Sequence, residues 1–223
     1  MQKLFSYFNH YLGMGKQNKT TLSDGVNSGT YSKLNQNKKG KVFVFTGPSG
    51  VGKSTIVDII LKQKKLFKRI VTFTTRAPRV GEVNGVDYNF VSVEEFEGFV
   101  KDSLLLEHAN VYEHYYGMLK SDVDEVLDSG KNVLCTLDVQ GALTVKKKIK
   151  GSVTIFVKAP TLEIMRTRLI KRGKDTMDVI DARLKQAREE IKLEKKFNYI
   201  IINDLLDRAV KETKEIIFKE LKK

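Results

Sequence analysis

Short apolar runs recur along this chain, at Val42–Phe45, Asn132–Leu137, Ser152–Val157 and Tyr199–Ile202. They are rich in valine, isoleucine and phenylalanine and too short for helices, so each predicts a buried strand. Helical patterns fall near Thr55–Lys65, Asp122–Ser129, Gln140–Lys150, Thr161–Arg172, Asp178–Lys195 and Leu205–Leu221. Strands and helices that alternate in this way predict an α/β fold, a parallel sheet with helices on both faces.

The rhythm breaks between about Thr72 and Val111. Asp87–Val91 and Leu104–Leu106 read as strands around one short helix, and Ser92 followed by Glu95 offers that helix a capping box. This strand-rich stretch reads as an insertion beside the sheet, of the kind that carries a second substrate. Residues 1–40 differ again. Leu4, Phe5, Phe8, Tyr11 and Leu12 allow an amphipathic turn or two, but Gln17–Gly40 is rich in Asn, Ser, Thr, Gly and Lys. With little to bury, residues 1–40 read as a flexible extension, and 41–223 as one domain. The extension has Asp24 as its only acidic residue, as organelle-targeting segments do, but it lacks arginine, so targeting is not favoured.

Composition narrows the class. The 223 residues suffice for one α/β domain with an insertion and a tail. No uninterrupted apolar run is long enough to span a membrane. The single cysteine, Cys135, lies in a predicted strand and cannot form an internal disulfide, which agrees with a cytoplasmic location. The net charge of +13 suggests polyanionic partners. The lysines scatter along helices, with no zinc spacing and no aromatic-glycine RNA-binding signature. A lysine-rich surface around a phosphate-binding cleft is therefore favoured over nucleic-acid binding. Neither a nucleic-acid nor a membrane partner is expected, and a monomer or a homodimer is compatible.

Candidate chemistry starts after the first strand. Gly47, Pro48, Ser49, Gly50, Val51, Gly52, Lys53 and Ser54 fit G-x-x-x-x-G-K-[ST], and Thr55 opens the following helix. Strand, glycine loop and helix is the context that gives this motif its meaning. The glycines let backbone N–H groups turn inward, and the helix N-terminus adds partial positive charge. Lys53 can reach the outer phosphates, and the Ser54 hydroxyl can ligate Mg²⁺. Arg76 and Arg79 flank Pro78, and two guanidinium forks on a stiff turn suit a terminal phosphate. Arg168 and Arg172 lie four apart, on one helix face. Asn203, between a strand and the last helix, can serve as a helix cap.

Several motifs follow the loop in order: Thr74-Thr-Arg-Ala-Pro-Arg79, Gly81-Glu-Val-Asn-Gly-Val-Asp-Tyr88-Asn-Phe90, Glu107-His-Ala, Tyr115-Tyr-Gly117, Asp138-Val-Gln-Gly-Ala142, Arg168-Leu-Ile-Lys-Arg-Gly173 and Asn203-Asp204. From about Lys41 onward the chain closely resembles the guanylate kinases, P-loop enzymes that phosphorylate GMP to GDP with ATP. The resemblance implies a GMP-binding insertion at about 72–118 and a helical lid at about 169–183. It implies that Arg76, Arg79, Tyr88 and Tyr116 bind the GMP phosphate, and that Glu107, Asp138 and Thr72 contact guanine. It also implies that Arg172 and Arg183 close over the ATP phosphates to assist Lys53, that Arg168 belongs to the same lid, and that Asn203 borders the adenine. ATP would be the phosphoryl donor, Mg²⁺ the cofactor, and GMP or dGMP the acceptor.

Two positions depart from the family pattern. Met118 stands where serine or threonine helps hold the base, and Thr136 where an acidic residue precedes Asp138. Three other readings stay in view. One is a non-catalytic guanylate-kinase-like phosphopeptide-binding module, although the intact Lys53 and Ser54 speak against it. Another is a P-loop kinase for a different small phosphate acceptor. The last is a basic nucleic-acid-binding protein.

Overall fold

The computed structural model describes residues 39–62, 66–111, 113–173 and 175–223. Apart from its last two residues, the expected N-terminal extension lies outside the described residues.

The main sheet has five parallel strands: β1 (Val42–Thr46), β2 (Phe67–Arg69), β7 (Asn132–Thr136), β8 (Val153–Lys158) and β9 (Tyr199–Ile202). Their order is β2-β7-β1-β8-β9, with β1 at the centre and Val44 level with Cys135 on one side and Thr154 on the other. All five residues of β1 are buried. Period-2 alternation sends its side chains to two separate cores. Phe43 and Phe45 join a cluster with Ile56, Val57 and Ile60 of α1 (Lys53–Leu61), Met165 and Leu169 of α5 (Leu162–Arg172), Ile180 of α6 (Met177–Lys192) and Ile217 of α7 (Leu206–Leu221). Val42 and Val44 face the opposite cluster, with Val123 and Val126 of α3 (Lys120–Asp128) and Val139, Ala142 and Val145 of α4 (Val139–Lys148). The predicted parallel sheet with helices on both faces is thus the observed one.

The segment between β2 and α3 builds a second, four-stranded sheet in the order β4-β3-β6-β5. Its strands are β3 (Phe73–Thr74), β4 (Asn89–Phe90), β5 (Leu105–Val111) and β6 (His114–Leu119). Helix α2 (Val93–Lys101) carries the predicted capping box: the Glu95 N–H donates to the Ser92 hydroxyl at 3.1 Å, and the Ser92 N–H donates to the Glu95 carboxylate at 2.9 Å. Phe96 and Phe99 of α2 pack on Phe73 and Leu105, and Phe96 stacks on Tyr115 with ring centroids 5.4 Å apart. The strand expected at Asp87–Val91 shrinks to two residues because Asp87 is spent on a turn, its carboxylate accepting from the Val83 N–H at 2.8 Å. The strand expected at Leu104–Leu106 instead runs on to Val111, paired with β6. No helix among the described residues is long and apolar enough to cross a membrane.

Candidate active site

The loop from Gly47 to Gly52 links the C-terminal end of β1 to the N-terminus of α1. Gly47 has φ 122°, a left-handed conformation, and a Cβ there would strike the Val157 carbonyl of β8. Gly52, at φ 93°, is the N-cap of α1, and a Cβ there would strike the Asn203 amide. Both positions therefore need glycine for conformation and for space. The first turn of α1 has neither a side-chain cap nor an acidic residue, so its N–H groups and dipole remain available to an anion. Ser54 and Thr55 are exposed in that turn. Lys53 folds back on its own loop and donates to the Gly47 and Pro48 carbonyls at 2.6 and 2.7 Å. Burial brings its ammonium down to about 8, against the opposing pull of Glu190 and Asp138.

Lys53 opens into a cavity of about 600 Å³ that also gathers Gly47, Ser49, Thr72, Arg76, Arg79, Tyr88, Glu107, Tyr116, Asp138 and Arg183. Arg76 is fixed from two sides. Its Nη2 donates to both Glu82 carboxylate oxygens, at 2.8 and 3.0 Å, and its guanidinium lies 5.4 Å from the Tyr88 ring centroid. Glu82 also accepts from the Arg79 N–H at 2.8 Å, which clamps the turn around Pro78. Tyr88 and Tyr116 meet edge to face at 5.9 Å.

Glu107 is 2% exposed, and neither carboxylate oxygen has a hydrogen-bond partner. Burial and the nearby Asp138 push its carboxyl up to about 8. Space for it exists because residue 141 is glycine: a Cβ there would come within 2.5 Å of Glu107 Oε2. Asp138 caps α4 through one oxygen, which accepts from the Gln140 and Gly141 N–H groups at 2.8 and 3.1 Å. Met118 pairs directly opposite Glu107 across β5 and β6, yet it is fully buried in the core with Val123 and Cys135 and does not line the cavity.

Other predicted site residues lie around the cavity rather than in its lining. Pro48, Gly50, Val51 and Gly52 form the body of the loop. Arg168 donates to the Asp204 carbonyl at 3.2 Å, and Arg172 pairs with Asp175 at 2.9 Å. Asn203 sits behind the loop and donates to the Val51 carbonyl at 2.8 Å. It does not cap α7, whose N-cap is Leu205. Sequence reasoning missed Glu82, Asp175 and Glu190. Glu82 stands inside the Gly81–Phe90 motif, whereas an acidic residue in a polar connection between two helices, such as Asp175, gives no signal before its three arginine neighbours are seen.

The parallel order around a central β1, the glycine loop feeding an uncapped helix N-terminus, and the lysine and arginines in one cavity define a P-loop nucleotide-binding protein built to handle phosphates. Comparisons with known proteins narrow this further. The family model described as guanylate kinase matches residues 39–220. The guanylate kinase of Clostridium perfringens (strain SM101 / Type A) is 43% identical over 189 residues, spanning 85% of this chain and 88% of that one. That of Caldanaerobacter subterraneus subsp. tengcongensis is 43% identical over 183 residues, 82% of this chain and 89% of its own. The crystal structure of guanylate kinase from Anaplasma phagocytophilum superposes with a TM-score of 0.71 at 29% identity, covering 83% of this chain and 88% of that one. The chain belongs to the guanylate kinase family.

Proposed function

We infer that this chain transfers the γ-phosphoryl group of ATP to GMP, yielding ADP and GDP, and that dGMP is accepted as well. The observation that carries the reading is the buried, unpartnered Glu107 carboxylate in the same cavity as Lys53 and the paired arginines. Guanine presents its N1–H and exocyclic amine side by side, and one carboxylate accepts from both. Adenine has an unprotonated N1 and would leave an acceptor facing an acceptor. Thr72 and the free oxygen of Asp138 flank the base. Arg76 and Arg79, with the Tyr88 and Tyr116 hydroxyls, hold the acceptor phosphate. The loop N–H groups, Lys53, Arg172 and Arg183 hold the donor phosphates.

An oxygen of the GMP phosphate attacks the γ-phosphorus in line, and the bond to the β–γ bridging oxygen breaks as ADP leaves. The attacking phosphate is already largely ionised near neutral pH, so no strong general base is needed. The chain contributes positioning and charge neutralisation. Lys53 leaves the Gly47 and Pro48 carbonyls for the transferring phosphoryl oxygens, and the arginines from α5 and α6 exclude water.

The oxygen donors near the loop fit Mg²⁺. No cluster of three His, Cys, Asp or Glu residues exists among the described residues, but Ser54 is an exposed hydroxyl at the start of α1. The buried Thr136 hydroxyl lines the cavity without a partner. Hydroxyls in place of a carboxylate cage suit an ion that keeps several waters and arrives with phosphates. When bound, the ion would neutralise phosphate charge, and Ser54 would hold it. The cytoplasm is the compartment this reading favours.

A panel of nucleoside monophosphates with Mg-ATP, followed by ADP release, tests the assignment. GMP and dGMP should turn over well and AMP poorly. Comparable rates with AMP, or turnover of none of them, would overturn it.

A further inference from the structure

We propose that Asp175 couples the two nucleotide sites, as a positioning residue that stands in for a phosphate among the arginines until substrates displace it. The proposal rests on the assignment of GMP and ATP above. Asp175 lies in the connection between α5 and α6. Its side chain is only 4% exposed, and it pairs with three arginines: Arg172 at 2.9 Å, Arg183 at 3.2 Å and Arg79 at 4.0 Å. These come from three different places, the end of α5, the body of α6, and the turn after β3. Arg183 also donates to the Ser49 hydroxyl of the phosphate loop at 2.5 Å. One carboxylate therefore ties the acceptor-phosphate arginine to the donor-phosphate arginines and, through Arg183, to the loop.

Without an anion at this point, three guanidinium groups, Arg183 buried and Arg79 and Arg172 about a third exposed, would converge in a partly enclosed space and repel one another. The Asp175 carboxylate supplies that anion in the nucleotide-free chain. It also obstructs both substrates. GMP must take Arg79 from Asp175, and ATP must take Arg172 and Arg183 and move Asp175 off the cluster. The Arg79–Asp175 contact is the longest of the three, and the Arg79 side chain is 33% exposed, so it is the first to yield. Breaking that contact is a cost common to both binding events. Whichever nucleotide binds first meets it, and the second does not. A shared cost met once makes each ligand tighten the other, and by linkage the effect is reciprocal.

The sign separates this role from a merely structural one. If Asp175 only braced the lid, removing its charge would weaken nucleotide binding. Here Asp175→Asn removes the obstruction, so either nucleotide alone should bind more tightly while the mutual tightening fades.

The experiment is calorimetric titration of the full chain with the non-hydrolysable β,γ-imido analogue of ATP and Mg²⁺, with and without saturating GMP. In the unaltered chain, GMP should tighten the analogue at least ~5-fold, the lower end of ordinary site-to-site coupling. In Asp175→Asn, the analogue alone should bind tighter than to the unaltered chain, and GMP should add less than ~2-fold. Asp175→Glu, which keeps the charge, should restore the coupling. Weaker binding of the analogue to Asp175→Asn, or coupling that persists in it, would overturn the proposal. Should that variant not fold, the unaltered chain still decides: GMP that binds without tightening the analogue overturns the coupling alone. Failure of GMP to bind the unaltered chain would overturn the substrate assignment and the coupling together.

Discussion

Glu107→Gln should make the ligand-free protein more stable at alkaline pH while disabling its recognition of guanine. Glu107 is 2% exposed, without partners, and its carboxyl is raised from the ordinary 4.5 to about 8 by burial first and Asp138 second, with Lys148 opposing. The unfolded chain releases this proton near 4.5, whereas the folded chain holds it until about 8. Between those values the folded state binds more protons than the unfolded one, so stability falls as pH rises. The stability tied to the neutral carboxyl is complete below 4.5 and gone above about 8. At 1.36 kcal/mol per pH unit that interval is worth about 5 kcal/mol as an upper bound. Water entering the open cavity screens the charge, and about 2–4 kcal/mol is expected. Glutamine has nearly the same shape and never ionises, so its stability should stay flat across this window. For a domain of this size 1 kcal/mol moves Tm by ~2–4 °C, so the variant should melt roughly 4–16 °C above the parent near pH 8.5. Near pH 4.5 the two should nearly coincide. GMP affinity should move the other way, weakening by about 10- to 100-fold, because guanine's two N–H donors draw Glu107 into its ionised, accepting form, whereas glutamine meets them with one acceptor and a clashing donor. Thermal melts at the two pH values and a GMP titration are sufficient. A melting difference that is the same at both pH values would refute the idea that Glu107 is held protonated by its surroundings.

Lys53→Ala should stay folded and lose at least ~2–4 kcal/mol of transition-state stabilisation; near-normal kcat in that variant would contradict the role given to the loop lysine. Arg76→Ala and Arg79→Ala should each raise the KM for GMP far more than that for ATP, and equal effects on both constants would count against an acceptor-phosphate site. Met118→Ser should destabilise the chain by about 2–4 kcal/mol, since it empties a fully buried core position. Because position 118 lies in that core and not in the cavity lining, the same change should leave the KM for GMP nearly unchanged, and a several-fold lower KM would show that the base reaches this position.

The central strands were legible because burial on both faces writes an apolar run. The prediction Tyr199–Ile202 coincides with β9, and Asn132–Leu137 overshoots β7 by one residue. Strand β2 was not legible. It is an edge strand with the sequence Phe-Lys-Arg, only Phe67 is buried, and its pairing with β7 is settled by tertiary contact rather than by pattern. Strand β6 shows in the sequence as the Tyr115-Tyr-Gly117 motif and not as a strand, because its residues are of intermediate burial except Gly117 and Met118. In the site, residues with a chemically distinctive spacing were readable, such as Lys53 in the loop and Arg76 and Arg79 around Pro78. The carboxylates that hold those arginines were not, because Glu82 and Asp175 have meaning only through which guanidinium each one meets in space. The hold of Asn203 on the Val51 carbonyl has no mark in the sequence, because it depends on how β9 ends beside the loop.

The lone thiol of Cys135 lies on β7 beside the central strand, wholly buried, with its ionisation pushed far upward by burial. A thiol so placed is inert while the sheet is closed, because thiol reagents attack the thiolate and must first reach it. The chain therefore carries its own clock. The rate at which a thiol reagent modifies it in native buffer reports how often the five-stranded sheet opens at its middle, without any label or engineered residue. The same silence provides a clean background: a cysteine introduced at an exposed position of α6 would be the one that takes a dye, and its signal could be followed while the native thiol stays dark.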